Sequence, residues 1–238
     1  DNFMKLQLSQ NALLKLNDYE WMKEMCSKYS AEYISKILEC DNTTVFSYIN
    51  KHEIPYEKKN ISSEEYIIKD ILDKYKIEYI TNDKSILKNN HHLDFLIPKF
   101  NFAIEVNGIY WHSEKIRPDK NYHQNKYDIC KSQGIELVQF WDIEINNKND
   151  VIESFILNKC MMTKNKEYAR QAEIKIITNR EAASFINENH LQDIKDTQLS
   201  ISLGAFINGN LLSVIAFRKD LDKYILSRFC SKIHYNIV

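Results

Sequence analysis

Apolar and polar positions alternate most sharply between residues 93 and 107. In "LDFLIP", Leu93, Phe95 and Ile97 fall on one side of an extended chain and Asp94 on the other. In "NFAIEVNG", Phe102, Ile104 and Val106 share one side, and Ala103, Glu105 and Asn107 the other. This predicts two strands joined by a tight "PKFN" turn, with Pro98 ending the first. Helical spacing dominates on either side. Trp21, Met25 and Tyr29 mark one helix. Ser30 caps a second, with Tyr33, Ile34 and Ile37 inward, and "CDN" breaks it. Thr43 or Thr44 caps a third, with Val45, Tyr48 and Ile49 inward. Ser62 or Ser63 opens a fourth, whose apolar face is Tyr66, Ile67, Ile71, Leu72 and Tyr75. Beyond the strands come a helix "YHQNKYDICKSQG" stopped by Gly134, a strand "IELVQFW" and a helix "DVIESFILNKC". A capped helix "TNREAASFINENH" then precedes three strands, "LSISLGAFI", "LLSVIAF" and "YILSRFC", the first two joined by an "NGN" hairpin turn.

These elements predict an α/β protein in three parts. Residues 1–58 form a small helical domain with a helix-turn-helix shape. After a linker, "PYEKKNISS", residues 59–160 form an α/β core with a mixed sheet. Residues 161–238 form an α+β domain that is expected to be incomplete, because "HYNIV" gives no clear ending.

Charge narrows the functional classes only locally. The 32 basic and 33 acidic residues nearly cancel, so any basic surface must be confined to a patch. One such run is Lys159, Lys164, Lys166, Arg170, Lys175 and Arg180 against Glu167 and Glu173. Such a run is an ordinary solvated linker or a contact to a nucleic-acid backbone. No apolar stretch reaches the roughly 20 residues of a membrane span, and no secretory signal is visible. The five cysteines have no C-x-x-C pair, which predicts buried, reduced thiols in a cytoplasmic protein.

The polar residues inside the strand pair are the strongest chemical signal, since a polar group on a buried strand is costly without a partner. Asp94 and Glu105 reach one face and one end of the sheet if the hairpin forms. Two carboxylates held together call for a cation or a proton between them. Mg²⁺ or Mn²⁺ suits oxygen donors, and a metal there can polarise a phosphodiester. His112, seven residues past Glu105, has the pKa range of a general base.

The Asp94–Glu105–Asn107 spacing is similar to the PD-(D/E)xK nuclease pattern, with Asn107 where lysine is usual. The longer string "DFLIPKFNFAIEVNGIYWH", with Asp94, Gly108, Trp111 and His112, resembles the core of the very-short-patch-repair endonucleases. "NYHQNKYDICKSQGIELVQFWDIEI" resembles the next helix and strand of Vsr-like phage homing endonucleases, with His123 and Lys126 in a His-x-x-Lys arrangement. The resemblance covers roughly Glu65 onward. It implies that Asp94 binds metal and that His112 acts as base. It implies that Glu65 contributes from the preceding helix, where the alternative is a first-turn acid favoured by the helix dipole. His123 would stand where the family has an aspartate that orients the base, with Asp128 as fallback. Lys126 would contact phosphate. The family's structural zinc is not expected here. Trp111 would pack beside the site or wedge between bases.

The helix pair at 30–54 resembles helix-turn-helix modules found beside phage nucleases. Asn42, Thr43, Thr44, Ser47 and Lys51 would then face the major groove; the alternative is an ordinary helical hairpin. Lys164, Lys166 and Arg170 would contact the backbone of double-stranded DNA. The expectation is a site-specific, Mg²⁺-dependent endonuclease, acting in a bacterial cytoplasm if phage-encoded. The alternatives are a non-catalytic DNA-binding protein on a nuclease-like fold and a strand-nicking mismatch-repair enzyme. The sequence leaves the oligomeric state open.

Overall fold

The computed structural model describes residues 8–59, 61–87, 91–108 and 122–238. The chain divides into two compact units, residues 1–76 and 77–238. No described helix is long and apolar enough to cross a membrane.

The first unit is helical: α1 Gln10–Asn17, α2 Tyr19–Lys28, α3 Ala31–Ile37, α4 Asn42–Lys51 and α5 Ser63–Lys74. Short polar residues start each helix, as N-caps favour. Ser9, Asp18, Ser30 and Ser62 accept from the backbone N–H three residues on. The cap of α4 is Asp41 rather than Thr43 or Thr44. Asp41 is extended, and both threonines lie inside the helix. Leu16, Met22, Cys26, Ile34, Val45 and Ile49 form the core of this unit. Ile37, expected inside, is 42% exposed, and Leu38 takes its place. On α5 the buried residue is Ile68, not Ile67. The boundary lies past α5 rather than at 58/59. The hydroxyls of Tyr29 and Tyr33 donate to the Asp70 carboxylate on α5 at 3.0 and 2.7 Å, and the Tyr33 and Tyr66 rings stack.

The second unit contains a mixed four-stranded sheet in the order β1-β2-β3-β4, namely Ile80–Asp83, Leu93–Ile97, Phe102–Asn107 and Glu136–Trp141. The first three strands are antiparallel, and β4 runs parallel to β3 after a crossover through α6, Tyr122–Ser132. The β2–β3 turn passes through Asn101 in the left-handed region, φ 47°. Next come α7 Asp142–Asn147 and α8 Asn149–Lys159. Phe155 of α8 meets Phe102 and Phe140 on one face of the sheet. On the other face, Cys130 of α6 joins Leu96, Ala103 and Leu137.

Strand β1 is absent from the sequence expectation. It is an edge strand, largely exposed, without apolar alternation. The C-terminal part adds β5 Asn165–Glu167, β6 Glu173–Ile177, α9 Asn179–Asn189, β7 Ile201–Ile207, β8 Asn210–Asp220, β9 Lys223–Ser231 and β10 Tyr235–Ile237. Thus four strands, not three, make the antiparallel sheet β6-β7-β8-β9, and β5 pairs in parallel with β10. The 208–209 turn has positive φ at both Asn208 and Gly209, as a two-residue hairpin requires. This part is tied to the preceding helices, with no separation at 160/161. Ser154 Oγ accepts from the His234 N–H at 2.7 Å, and Lys148 donates to the Asn187 carbonyl.

Candidate active site

Between α6 and the sheet lie three rows of side chains. A strand presents alternate residues to one face, and a helix presents positions three or four apart. The first row is the apolar one, Leu96, Ala103 and Leu137 under Cys130. In the β2–β3 ladder Phe95 pairs with Ile104; one pair further, Asp94 stands opposite Glu105, and Glu105 pairs with Gln139. Lys126, one helical turn before Cys130, covers this second row. Asn107 pairs with Trp141 in the third row, under His123. The expected common face for Asp94, Glu105 and Asn107 is therefore present.

The second row is electrostatically tense. Glu105 and Lys126 are 7% and 5% exposed, and the Lys126 ammonium donates to Glu105 Oε1. Asp94 Oδ2 accepts from the Val106 N–H at 2.8 Å, and Oδ1 lies 3.7 Å from His92 Nε2. Burial, then the negative charge of Asp94, pushes Glu105 up to about 7, against the pull of Lys126. Burial also raises Asp94, opposed by the Val106 N–H, Lys126 and His92. Two carboxylates share one ammonium, so ionising both leaves one negative charge unbalanced.

The third row has a direction. Gln139 Nε2 donates to the His123 carbonyl at 3.4 Å, and a carbonyl can only accept. Gln139 Oε1 is therefore the acceptor facing the His123 ring at 2.8 Å, which puts the proton on Nδ1. The same oxygen takes the Asn107 amide N–H at 3.1 Å. Asn107 Oδ1 is thereby turned away. Among the described residues, Asn107 Oδ1 and Glu105 Oε2 are buried without a hydrogen-bond partner. Trp141 and Tyr122 flank the His123 ring.

Among the described residues, no three His, Cys, Asp or Glu side chains gather as a metal cluster. The available donors are the oxygens of Asp94, Glu105 and Asn107. Two carboxylates with water-filled remaining positions suit a hard cation such as Mg²⁺, and the two unpartnered acceptors fit such a group.

Other expected residues lie elsewhere. Trp111 and His112 fall outside the described residues. Glu65 belongs to the helical unit, where it closes a capping box with Ser62. Lys126, expected on phosphate, is buried on Glu105 instead. Asp128 is exposed and accepts from Gln124 within α6. On α4, Thr43, Ser47 and Lys51 form one exposed stripe, whereas Asn42 and Thr44 are half-buried. Asn42 donates to Glu32 at 3.5 Å, and Lys51 donates to Asn17 at 2.9 Å. Lys164, Lys166 and Arg170 are exposed, the last two over the Tyr168 ring. Gln139 is a site residue that the sequence reading misses. The signal is there, because a glutamine inside "IELVQFW" is as anomalous as Asp94 in its own strand.

No protein-family profile and no curated protein match this chain. Among solved structures, the chain is similar to the catalytic domain of the homing endonuclease I-Bth0305I. The match has 28% identity and a TM-score of 0.35, over 42% of this chain and 95% of that one.

Proposed function

We propose that this chain is a metal-dependent DNA endonuclease of the Vsr-like type. The observation that carries the reading is the second row: Asp94 and Glu105 opposite one another in a buried setting, with an unpartnered carboxylate oxygen and an amide oxygen beside them. Asp94 and Glu105 would hold Mg²⁺ or Mn²⁺, with Asn107 completing the shell; the metal would supply charge to a scissile phosphodiester. Lys126 holds Glu105 in place and balances part of its charge. The Nδ1 proton of His123 is fixed by Gln139, so in the neutral ring Nε2 carries the lone pair. That nitrogen can accept an N–H from the base, the role an aspartate would otherwise fill. His112 is the base implied by the sequence resemblance. The stripe Thr43, Ser47 and Lys51 and the exposed Lys164, Lys166 and Arg170 would meet DNA.

The test is cleavage of duplex DNA carrying candidate targets, with and without Mg²⁺, by the wild type, Asp94→Asn and His112→Ala. Loss of cutting in both variants is expected. Cutting that persists in both removes the site. A second reading, DNA binding without cutting, is favoured by the ammonium already seated on Glu105. Binding by the wild type without metal-dependent cutting would select it.

A further inference from the structure

Only five of the 32 basic residues are arginine, yet two of them, Arg218 and Arg228, line one cavity in the C-terminal sheet. Where lysine serves nearly everywhere else, paired arginines mark a need for the planar, forked donor set that matches oxyanions. We propose that this cavity, bounded by Gln198, Arg218, Ser227 and Arg228, is a binding site for a phosphate oxyanion.

The local backbone builds it. In the β8–β9 ladder Ala216 pairs with Arg228, but Phe217 pairs with Leu226, so Ser227 is an extra residue on β9. A bulge of this kind bends the strand and re-aims its side chains. Arg228 faces the side on which Ala216 packs with Ala182 and Ile186 of α9. Its Nη1 donates to the Ser227 carbonyl at 2.7 Å. Its Nε is buried and, among the described residues, has no acceptor. A buried donor on a cation is costly unless an acceptor completes it. Among the described residues no carboxylate lines the cavity, and neither arginine is in an ion pair. Gln198 also lines the cavity, with its amide oxygen already taken by the Lys195 N–H at 3.0 Å. Burial, and after it the Arg228 charge, lower the pKa of His190. The volume, about 290 Å³, admits a phosphate with a few waters.

The site is independent of metal and of cleavage. On the endonuclease reading, a DNA phosphodiester would supply the oxyanion. The test is ¹⁵N NMR of the arginine Nε–Hε groups in the metal-free full chain, titrated with inorganic phosphate against sodium chloride of equal ionic strength. The Arg218 and Arg228 signals should move saturably while Arg170 and Arg180 stay still. Arg228→Gln and Arg218→Gln should each weaken phosphate binding about tenfold or more. Parallel movement of all four wild-type signals, or an equal wild-type response to chloride, would overturn the proposal whether or not the variants fold. A short duplex without metal forms a second arm. Movement of the same two signals supports the site with nucleic acid as the source. Stillness there alongside a phosphate response supports it with a smaller phosphorylated ligand.

Discussion

Replacing Lys126 with methionine removes the only described ammonium from a row that holds two carboxylates. The side-chain volume is nearly kept, so the loss is electrostatic rather than a cavity. Both partners are almost fully buried, at 5% and 7% exposure. Breaking such a pair by removing one member costs about 3–5 kcal/mol, because the remaining charge is left uncompensated. The protein has one escape, proton uptake by Glu105. Its value in the folded state already lies at about 7 against an ordinary 4.5, worth about 3 kcal/mol. A carboxyl raised on folding contributes stability in full below its unfolded value and loses it as pH climbs through the folded one. Lys126→Met should therefore be mild near pH 5.5 and severe near pH 8.5. Urea unfolding followed by circular dichroism gives the size, and hydrogen exchange in β3 assigns the transition to this unit. Glu105→Gln in the Lys126→Met background should recover most of the loss at pH 8.5, since no charge is then stranded on that pair. Additive losses at both pH values would refute the pairing.

Four further outcomes are expected. In the wild type without metal, stability should fall between about pH 5 and 8 from the Glu105 contribution, and Glu105→Gln should flatten that fall in the same urea series. Gln139→Met should free the His123 proton to move between ring nitrogens, visible in imidazole ¹⁵N shifts; an unchanged Nδ1–H form would contradict the directional bond. Tyr33→Phe should cost about 1–3 kcal/mol, because it strips a buried hydroxyl from the Asp70 carboxylate, and thermal unfolding of the helical unit reads it. Gly209→Ala should cost about 1 kcal/mol by strain at φ 77°, in the same measurement made on the second unit.

The parts of the fold legible in the sequence are those with one wet or polar side and one apolar side. The alternation in β2 and β3 gives the correct face for Asp94, Glu105 and Asn107, because register follows burial. Strands β1 and β6 escape the pattern for a shared reason. Both sit at sheet edges, are mostly exposed, and are held by backbone bonds that leave no mark in side-chain pattern. The one-position errors at Ile37 and Ile67 reflect helix rotation, which short amphipathic stretches fix poorly. The role of Lys126 is hidden differently. Its partner lies 21 residues away and meets it only once α6 is laid across the sheet. Arg218 and Arg228 are likewise invisible in the sequence, since a strand bulge is what brings Ser227 and its neighbours to one cavity.

The three rows beneath α6 have a consequence for how this region tolerates change. One helix stripe, His123, Lys126 and Cys130, addresses all three rows, so the thiol in the apolar row acts as a key that indexes the other two. Residues gained or lost ahead of Tyr122 leave that indexing intact. A single residue inserted between Lys126 and Cys130 turns His123 and Lys126 by about 100° relative to the thiol. It would withdraw the ammonium and the imidazole together, while the strands that carry the acids stayed as they are.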